Sequence, residues 1–371
     1  MKISKLFLFG ILGAFSLNSC SNDDDNIIPE PTSEGDYTNG FFVLNEGSQS
    51  AGTVTFISED FQNVEQEIFA TVNGGDDLGQ YVQSMFFDDD RAYIISNGSN
   101  LITVVDRYTF EYIGQVDSDL SIPYYGVAYN GKAYVSNLED YGNPNTDYVA
   151  VIDLETLEVE EKILAGANLD EVKEENGLIY FEGSYFGSGN SILVFDPSSN
   201  SFIKTFTLFE NNTGEGEEEG LNSFEIEDDY LYALTTKNLY KLDLTTGEEI
   251  SKVEFSNDFI GTANLEIEND MIYFTLSTSV DTSEKTSVFA LAEGVVDSVE
   301  DIYTPDEAII TYDSKNKYGN LYGFEVEGDY IYTAEAPTFT EGGKVRIYTL
   351  SGDLTAELTV GIGPNGFYFN H

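Results

Sequence analysis

One phrase recurs along this chain, and it decides what the chain can fold into. An alternating apolar run ends in an acidic or glycine turn, and a second run then begins with a large apolar residue and a tyrosine. It reads Met85-Phe86-Phe87-Asp88-Asp89-Asp90-Arg91-Ala92-Tyr93-Ile94-Ile95, and again Val127-Ala128-Tyr129-Asn130-Gly131-Lys132-Ala133-Tyr134-Val135. The same phrase centres on Tyr180, Tyr232, Tyr273 and Tyr332. A third run follows each and often closes on Asp, as in Thr103-Val104-Val105-Asp106, Ala150-Val151-Ile152-Asp153 and Leu193-Val194-Phe195-Asp196. The tyrosine landmarks stand roughly 40–60 residues apart, the period of a four-stranded propeller blade. From residue 40 onward there is no amphipathic helical period of useful length, only short Val-, Ile-, Tyr-, Phe- and Thr-rich runs punctuated by Gly, Asn and Asp.

A seventh phrase is split between the two ends of the repeat region. Phe41-Phe42-Val43-Leu44-Asn45 matches a second run and Thr53 to Ile57 a third, with no first run ahead of them. The missing run is Gly366-Phe367-Tyr368-Phe369, which parallels Gly126-Val127-Ala128-Tyr129 and Gly323-Phe324-Glu325-Val326. The expected fold is therefore all-β: a seven-bladed β-propeller over residues 40–371, a single domain with four-stranded antiparallel blades, whose first blade is closed by the C-terminal strand. Rings of six or eight blades are the alternatives. Closure removes the open sheet edges that otherwise invite aggregation.

Composition narrows the function classes. The chain has 371 residues, 67 Asp and Glu against 16 Lys and Arg, and a net charge of −51. A nucleic-acid binder needs a basic face, which this chain lacks, and an anionic membrane surface would repel it. Its single Cys excludes a disulfide framework or a CxxC site. Its single His, the last residue, excludes Ser-His-Asp hydrolysis and His-rich metal sites. With 25 Tyr and 26 Phe there is ample material for a folded core.

The first residues read as an address. Lys2 and Lys5 precede the short apolar run Leu6 to Leu17, which ends at Leu17-Asn18-Ser19-Cys20. Residues 1–19 are expected to be a lipoprotein signal peptide and Cys20 the lipidated first residue of the mature chain. Its acyl chains would supply a membrane anchor, at about 0.8 kcal/mol per buried CH₂. Residues 20–39, with Asp23-Asp24-Asp25, Pro29 and Pro31, read as an acidic flexible tether. Ser21-Asn22-Asp23-Asp24-Asp25 resembles the acidic export signal of surface lipoproteins, so the expected location is the outer membrane, lipid-anchored, at the cell surface.

Strand directions alternate within a blade, so the start of each first strand and the end of each second strand share one face. The starts hold Tyr81, Gln83, Tyr124, Tyr125, Asn168, Asn222, Asn264, Asn320, Tyr322 and Asn365; the ends hold Asn45, Glu46, Asn97, Asn137, Glu182 and Glu335. Tyr185 and Phe186 lie in a loop on the same face, where the repeat does not require them. Amides and phenols dominate, which suits a large neutral or zwitterionic polar ligand. Asn at a strand end also tolerates left-handed turns and bonds its own backbone. The landmark tyrosines belong to core or inter-blade packing. Glu215-Gly216-Glu217-Glu218-Glu219 reads as a solvated acidic loop, with calcium binding as its functional alternative; no dedicated metal site and no cofactor are expected.

Phe42-Val43-Leu44-Asn45-Glu46-Gly47, Gln83-Ser84-Met85 and Gly363-Pro364-Asn365-Gly366-Phe367-Tyr368 resemble the YncE-like propeller lipoproteins of Gram-negative bacteria that lie beside TonB-dependent outer-membrane receptors. The resemblance covers nearly the whole mature chain. It implies a non-enzymatic lipoprotein that binds a small molecule on the propeller's top face and cooperates with a TonB-dependent receptor. One branch of the group resembles surface proteins that capture corrinoids, which makes a corrinoid one candidate ligand; nothing in the sequence fixes the ligand's class. A protein-interaction or adhesion module is the alternative. A calcium-dependent hydrolase drawing on Glu46, Glu182 and Glu335 is a further one. The absence of Trp counts against a quinone-dependent enzyme.

Overall fold

A computed structural model of the chain describes residues 35–370 apart from 49, 141–142, 185–187, 211–218, 260, 281–282, 300–301, 306 and 315–320. The expected signal peptide, Cys20 and most of the tether lie outside the described residues, as do Tyr185, Phe186 and Asn320.

The repeated phrase folds as the spacing predicts. Strands of the described residues form seven four-stranded antiparallel sheets. The innermost strands, in order around the ring, are Pro364–Asn370 (blade 1), Val82–Asp88 (blade 2), Pro123–Tyr129 (blade 3), Val172–Glu175 (blade 4), Leu221–Glu227 (blade 5), Gly261–Glu268 (blade 6) and Gly323–Glu327 (blade 7). Each meets the next blade, and blade 7 meets blade 1, so the circle is closed. Blade 1 is completed by the C-terminal strand: Phe41 pairs with Phe369, Phe42 with Tyr368 and Val43 with Phe367. A clasp sits at this seam. Asn370 donates to the Tyr37 carbonyl at 2.6 Å and to the Arg107 carbonyl at 3.0 Å, while the Arg107 guanidinium lies 4.0 Å over the Phe87 ring.

The turns explain the repeat's punctuation. First and second strands of a blade meet in tight hairpins whose tips need left-handed backbone, at Asp89, Asn130-Gly131, Asn176-Gly177, Asp228 and Asn269-Asp270. Asn, Asp and Gly adopt that conformation at least cost, and two such residues in succession match the strands' twist. The Asp that closes the third run caps the next turn: the Asp106 carboxylate accepts from Tyr108 N and Thr109 N at 2.9 and 2.8 Å, and Asp153 from Glu155 N and Thr156 N at 3.0 and 2.7 Å.

The core is distributed around the ring. Apolar clusters lie between each pair of successive blades, including the pair formed by blades 7 and 1. The landmark tyrosines supply their centres. Tyr93, Tyr134, Tyr180, Tyr232, Tyr273 and Tyr332 are all buried. Each lies directly across the ladder from one residue of the innermost strand: Phe86, Val127, Lys173, Glu225, Glu266 and Glu325 respectively. In blade 1 the pair is Phe42 and Tyr368. One register position therefore recurs seven times round the axis, and four successive blades fill it with charge.

Candidate functional site

The starts of the first strands and ends of the second strands do converge. A cavity of about 870 Å³ opens on that face of the ring, lined by Glu46, Tyr81, Gln83, Asn97, Tyr124, Tyr125, Asn222, Asn264, Tyr322 and Asn365 among others. Its wall across blades 2 and 3 is a hydrogen-bonded relay. Asn97 donates to Gln83 Oε1 at 3.0 Å, and Gln83 Nε2 donates to the Tyr125 hydroxyl at 3.3 Å. Asn365 donates to the Val82 and Gln83 carbonyls at 3.1 and 3.0 Å, which ties blade 1 to blade 2. Asn222 donates to Thr262 Oγ1 at 2.9 Å, tying blade 5 to blade 6. Asn264 accepts from Thr275 Oγ1 at 3.2 Å. At the rim the Tyr322 hydroxyl donates to the Glu46 carboxylate, and its ring meets Phe339 edge-on at 5.3 Å. Tyr81 is 39% exposed and holds a left-handed backbone at φ 56°, a conformation that a bulky aromatic rarely adopts.

Among the described residues, four of those expected do not line the cavity: Asn45, Asn137, Asn168 and Glu335. Asn45 and Asn137 are fully buried. Asn45 donates to Thr53 Oγ1 and Thr55 Oγ1 at 3.2 and 3.1 Å. Asn137 donates to the Val135 carbonyl at 3.0 Å and accepts from Ser121 N at 3.1 Å. Both follow the strand-end role of Asn, satisfying backbone and hydroxyl groups that would otherwise be buried without partners. Asn168 is half-buried and is not among the lining residues. The glutamates considered for a hydrolase are also held apart. Glu335 is ion-paired with Arg346, away from the cavity that Glu46 and Glu182 line. Of the acidic loop, only Glu219 is described; its carboxylate accepts from Thr235 Oγ1 at 2.6 Å and from the Tyr240 hydroxyl at 3.3 Å. Among the described residues, no group of three or more His, Cys, Asp or Glu is arranged to hold a metal ion.

The cavity floor departs most from the sequence expectation. It is not amide but acid, with Asp170, Glu171, Glu182, Glu266 and Glu325 in the lining. Lys173 stands among them, 2.6 Å from Glu225 and 3.2 Å from Glu171. Its ammonium also lies 5.7 Å from the centre of the Phe224 ring. Glu325 and Glu266 stand on neighbouring blades, close enough that the charge of Glu325 bears on Glu266. Burial pushes Asp170 up to about 8, and the neighbouring Glu171 charge adds to the effect. Burial raises Glu225 to about 7 against the pull of Lys173. Glu325 rises to about 8, through burial and then through Glu225. Glu182 and Glu266 are held well above the usual carboxylate range, by burial first and by neighbouring carboxylates second. Burial disfavours the Lys173 ammonium, yet Glu171, Glu225 and Glu266 outweigh it and keep the lysine charged well beyond its ordinary range. One ammonium cannot neutralise so many carboxylates, so the lysine is secured while the acids retain protons. The floor thus offers hydrogen-bond donors and acceptors together. Burial, and then Asp170 and Glu171, also push the Tyr125 phenol up, so it faces the cavity as a neutral donor.

Sequence reasoning missed this floor, although a signal was present. The position seven residues ahead of each landmark Tyr reads Phe86, Val127, Lys173, Glu225, Glu266 and Glu325. Charge at a register position that is apolar in blades 2 and 3 marks residues that the packing does not demand.

A second cleft of about 410 Å³ lies beside blade 1, lined in part by Phe69, Leu78, Val360 and Ile362. None of the residues expected at a binding face lies on it.

Fold and site together define a seven-bladed β-propeller with a polar axial cavity at one face. The chain belongs to the family described as Domain of unknown function (DUF5074), whose match spans residues 39–331. No curated protein matches it in sequence. Among solved structures it is similar to a quinonprotein alcohol dehydrogenase-like protein from Bacteroides thetaiotaomicron, at 15% identity and a TM-score of 0.59, with 90% of this chain and 79% of that one covered. It is similar to BamB from Moraxella catarrhalis, at 16% identity and a TM-score of 0.51, with 89% and 90% covered. It is also similar to Kuenenia stuttgartiensis hydrazine synthase, at 16% identity and a TM-score of 0.53, with 75% and 86% covered. At such identities the likeness extends to the fold alone.

Proposed function

We propose that this protein is a lipid-anchored binding protein of the outer membrane that holds a polar small molecule in the axial cavity and works with a TonB-dependent receptor. The observation that carries the reading is the convergence of Gln83, Asn97, Tyr125, Asn222 and Asn365 from four blades on one cavity of about 870 Å³. That volume falls within the range of ordinary small-molecule sites, roughly 300–1,000 Å³. The walls are held together by the Asn97–Gln83–Tyr125 relay, so little ordering entropy is lost on docking. The lipid anchor and the receptor partnership rest on the Cys20 motif and on the YncE-like resemblance.

Calorimetry on the mature chain against corrinoids, haem, siderophores and glycans tests the reading. Binding by one class, lost in Tyr125→Ala, supports it. No heat from any class defeats it.

An interaction module is favoured by a different feature. Tyr81 and Tyr322 are 39% and 37% exposed on the same rim, where an aromatic-bearing protein surface would dock. Recovery of a receptor from outer-membrane extracts, dependent on both tyrosines and independent of any small molecule, would favour that reading.

A further inference from the structure

We propose that the cavity floor is a built-in proton switch, in which the carboxyls packed around the permanently charged Lys173 gain and lose protons as one coupled set. The device follows from topology. Blades 4, 5, 6 and 7 place Lys173, Glu225, Glu266 and Glu325 at one shared register, each opposite its landmark tyrosine. The topology thereby brings Lys173 of blade 4 to 2.6 Å from Glu225 of blade 5 and sets Glu266 and Glu325 of blades 6 and 7 together in the cavity lining. Blade 4 adds Glu171 at 3.2 Å from the lysine, together with Asp170 and Glu182. The backbones of these three are knit together by Asp170 N to the Glu182 carbonyl at 2.9 Å and Glu182 N to the Glu171 carbonyl at 2.8 Å.

The groups that face this belt are few and can be named. From blade 3 comes the Tyr125 phenol and from blade 1 the Tyr368 phenol, which burial first and then Glu325 and Glu171 hold neutral. Glu327 adds a further, weaker repulsion on Glu325. Lys173 is the one cation in the set, and it is committed to Glu171 and Glu225. Each further negative charge must therefore form beside others that lack a counter-ion. Interacting carboxyls of this kind release protons in succession over a broad range. When acidified the floor presents O–H donors around one ammonium; when alkaline it presents an array of carboxylates. Its bearing on which ligand the cavity admits rests on the proposed binding function, whereas the titration itself does not.

The sign of the stability effect follows. Asp170, Glu182, Glu225, Glu266 and Glu325 bind protons more tightly folded than unfolded. Their contribution is complete below the unfolded carboxylate range and is lost as pH rises through the folded values, between about pH 4.5 and pH 8. The protein should therefore melt higher when mildly acidified. Repulsion across a surface of net charge −51 has the same sign, but 1 M salt cuts the screening length to about 3 Å and suppresses it.

The experiment is a thermal titration of the mature chain in 1 M salt, with side-chain carboxyl ¹³C NMR of the same samples. The melting temperature should fall by about 3–6 °C from pH 5.5 to pH 8.5. That fall should at least halve in the Glu225→Gln/Glu325→Gln double variant and be unchanged in the exposed control Glu158→Gln. Several carboxyl resonances should titrate above pH 6, and two of them should vanish in the double variant. The proposal is overturned if every carboxyl of the wild-type chain titrates below pH 6, a result that needs no variant to fold. It is equally overturned if the fall in melting temperature persists undiminished in the double variant. Neither measurement involves a ligand, so a failure here and a failure of the binding reading are separate results.

Discussion

The innermost strands of blades 2 and 3 carry Phe86 and Val127, whereas those of blades 4 to 7 carry Lys173, Glu225, Glu266 and Glu325, at the same place in the ladder. On the apolar arc the contact is packing: Phe86 stacks on Tyr93 with ring centres 4.8 Å apart. On the charged arc it is an ion pair between Lys173 and Glu225. The landmark tyrosine is buried in both. The repeat thus specifies the blade through the tyrosine and the hairpin, and tolerates either chemistry opposite. Desolvating charge is expensive, so the charged arc reads as a property of the cavity and not as a requirement of the fold.

The two arcs should break differently. Phe86→Ala removes a buried ring from the cluster between blades 2 and 3 and should cost about 3 kcal/mol, equally at pH 6 and pH 8, in denaturant unfolding. Lys173→Met should cost about 2 kcal/mol at pH 8, because Glu171 and Glu225 lose their counter-ion. That penalty should shrink towards pH 6 as the acids take up protons. A penalty of Lys173→Met that does not vary with pH would erase the distinction between the arcs. Glu266→Gln should reverse the sign, stabilising by about 1 kcal/mol at pH 8, since the glutamine needs no proton to fold, and by nothing near pH 5. Smallest of all, Gln83→Ala should leave stability within about 0.5 kcal/mol while weakening any ligand found for the cavity, as read by calorimetry.

The fold was open to sequence reading because its determinants are periodic and local. A tyrosine, a left-handed hairpin tip and a capping Asp recur in step, and the split phrase at Phe42 and Phe367 locates the closure. The cavity mouth was open to it as well, since alternating strand direction places Gln83, Asn97, Tyr125 and Asn365 at one end. The floor was hidden by the chain's own composition. In Glu225-Ile226-Glu227-Asp228-Asp229, the glutamate that pairs with Tyr232 looks like one more acid of a solvated turn. With 67 acidic residues in the chain, a further glutamate carries little information until pairing with Tyr232 gives it a direction. Asn45 and Asn137 misled for a related reason: an amide that caps a strand end and an amide that faces a ligand occupy the same position in the sequence pattern.

The clasp at Asn370 has a kinetic consequence. Six of the joints between blades unite stretches that follow one another along the chain, and each can zip onto its predecessor. Closing the ring is of another kind: within blade 1, Asn370 reaches the Tyr37 carbonyl across 333 positions. Bringing such distant ends together carries the largest loop-closure entropy in the molecule and should set the slowest step of folding. Until it happens the chain is an open arc with a naked sheet face at each tip, Phe41 and Val43 on one and Tyr332 and Val345 on the other. Those tips match each other within one arc as well as between two, so the same surfaces that complete the monomer can join neighbouring arcs if the ends fail to meet.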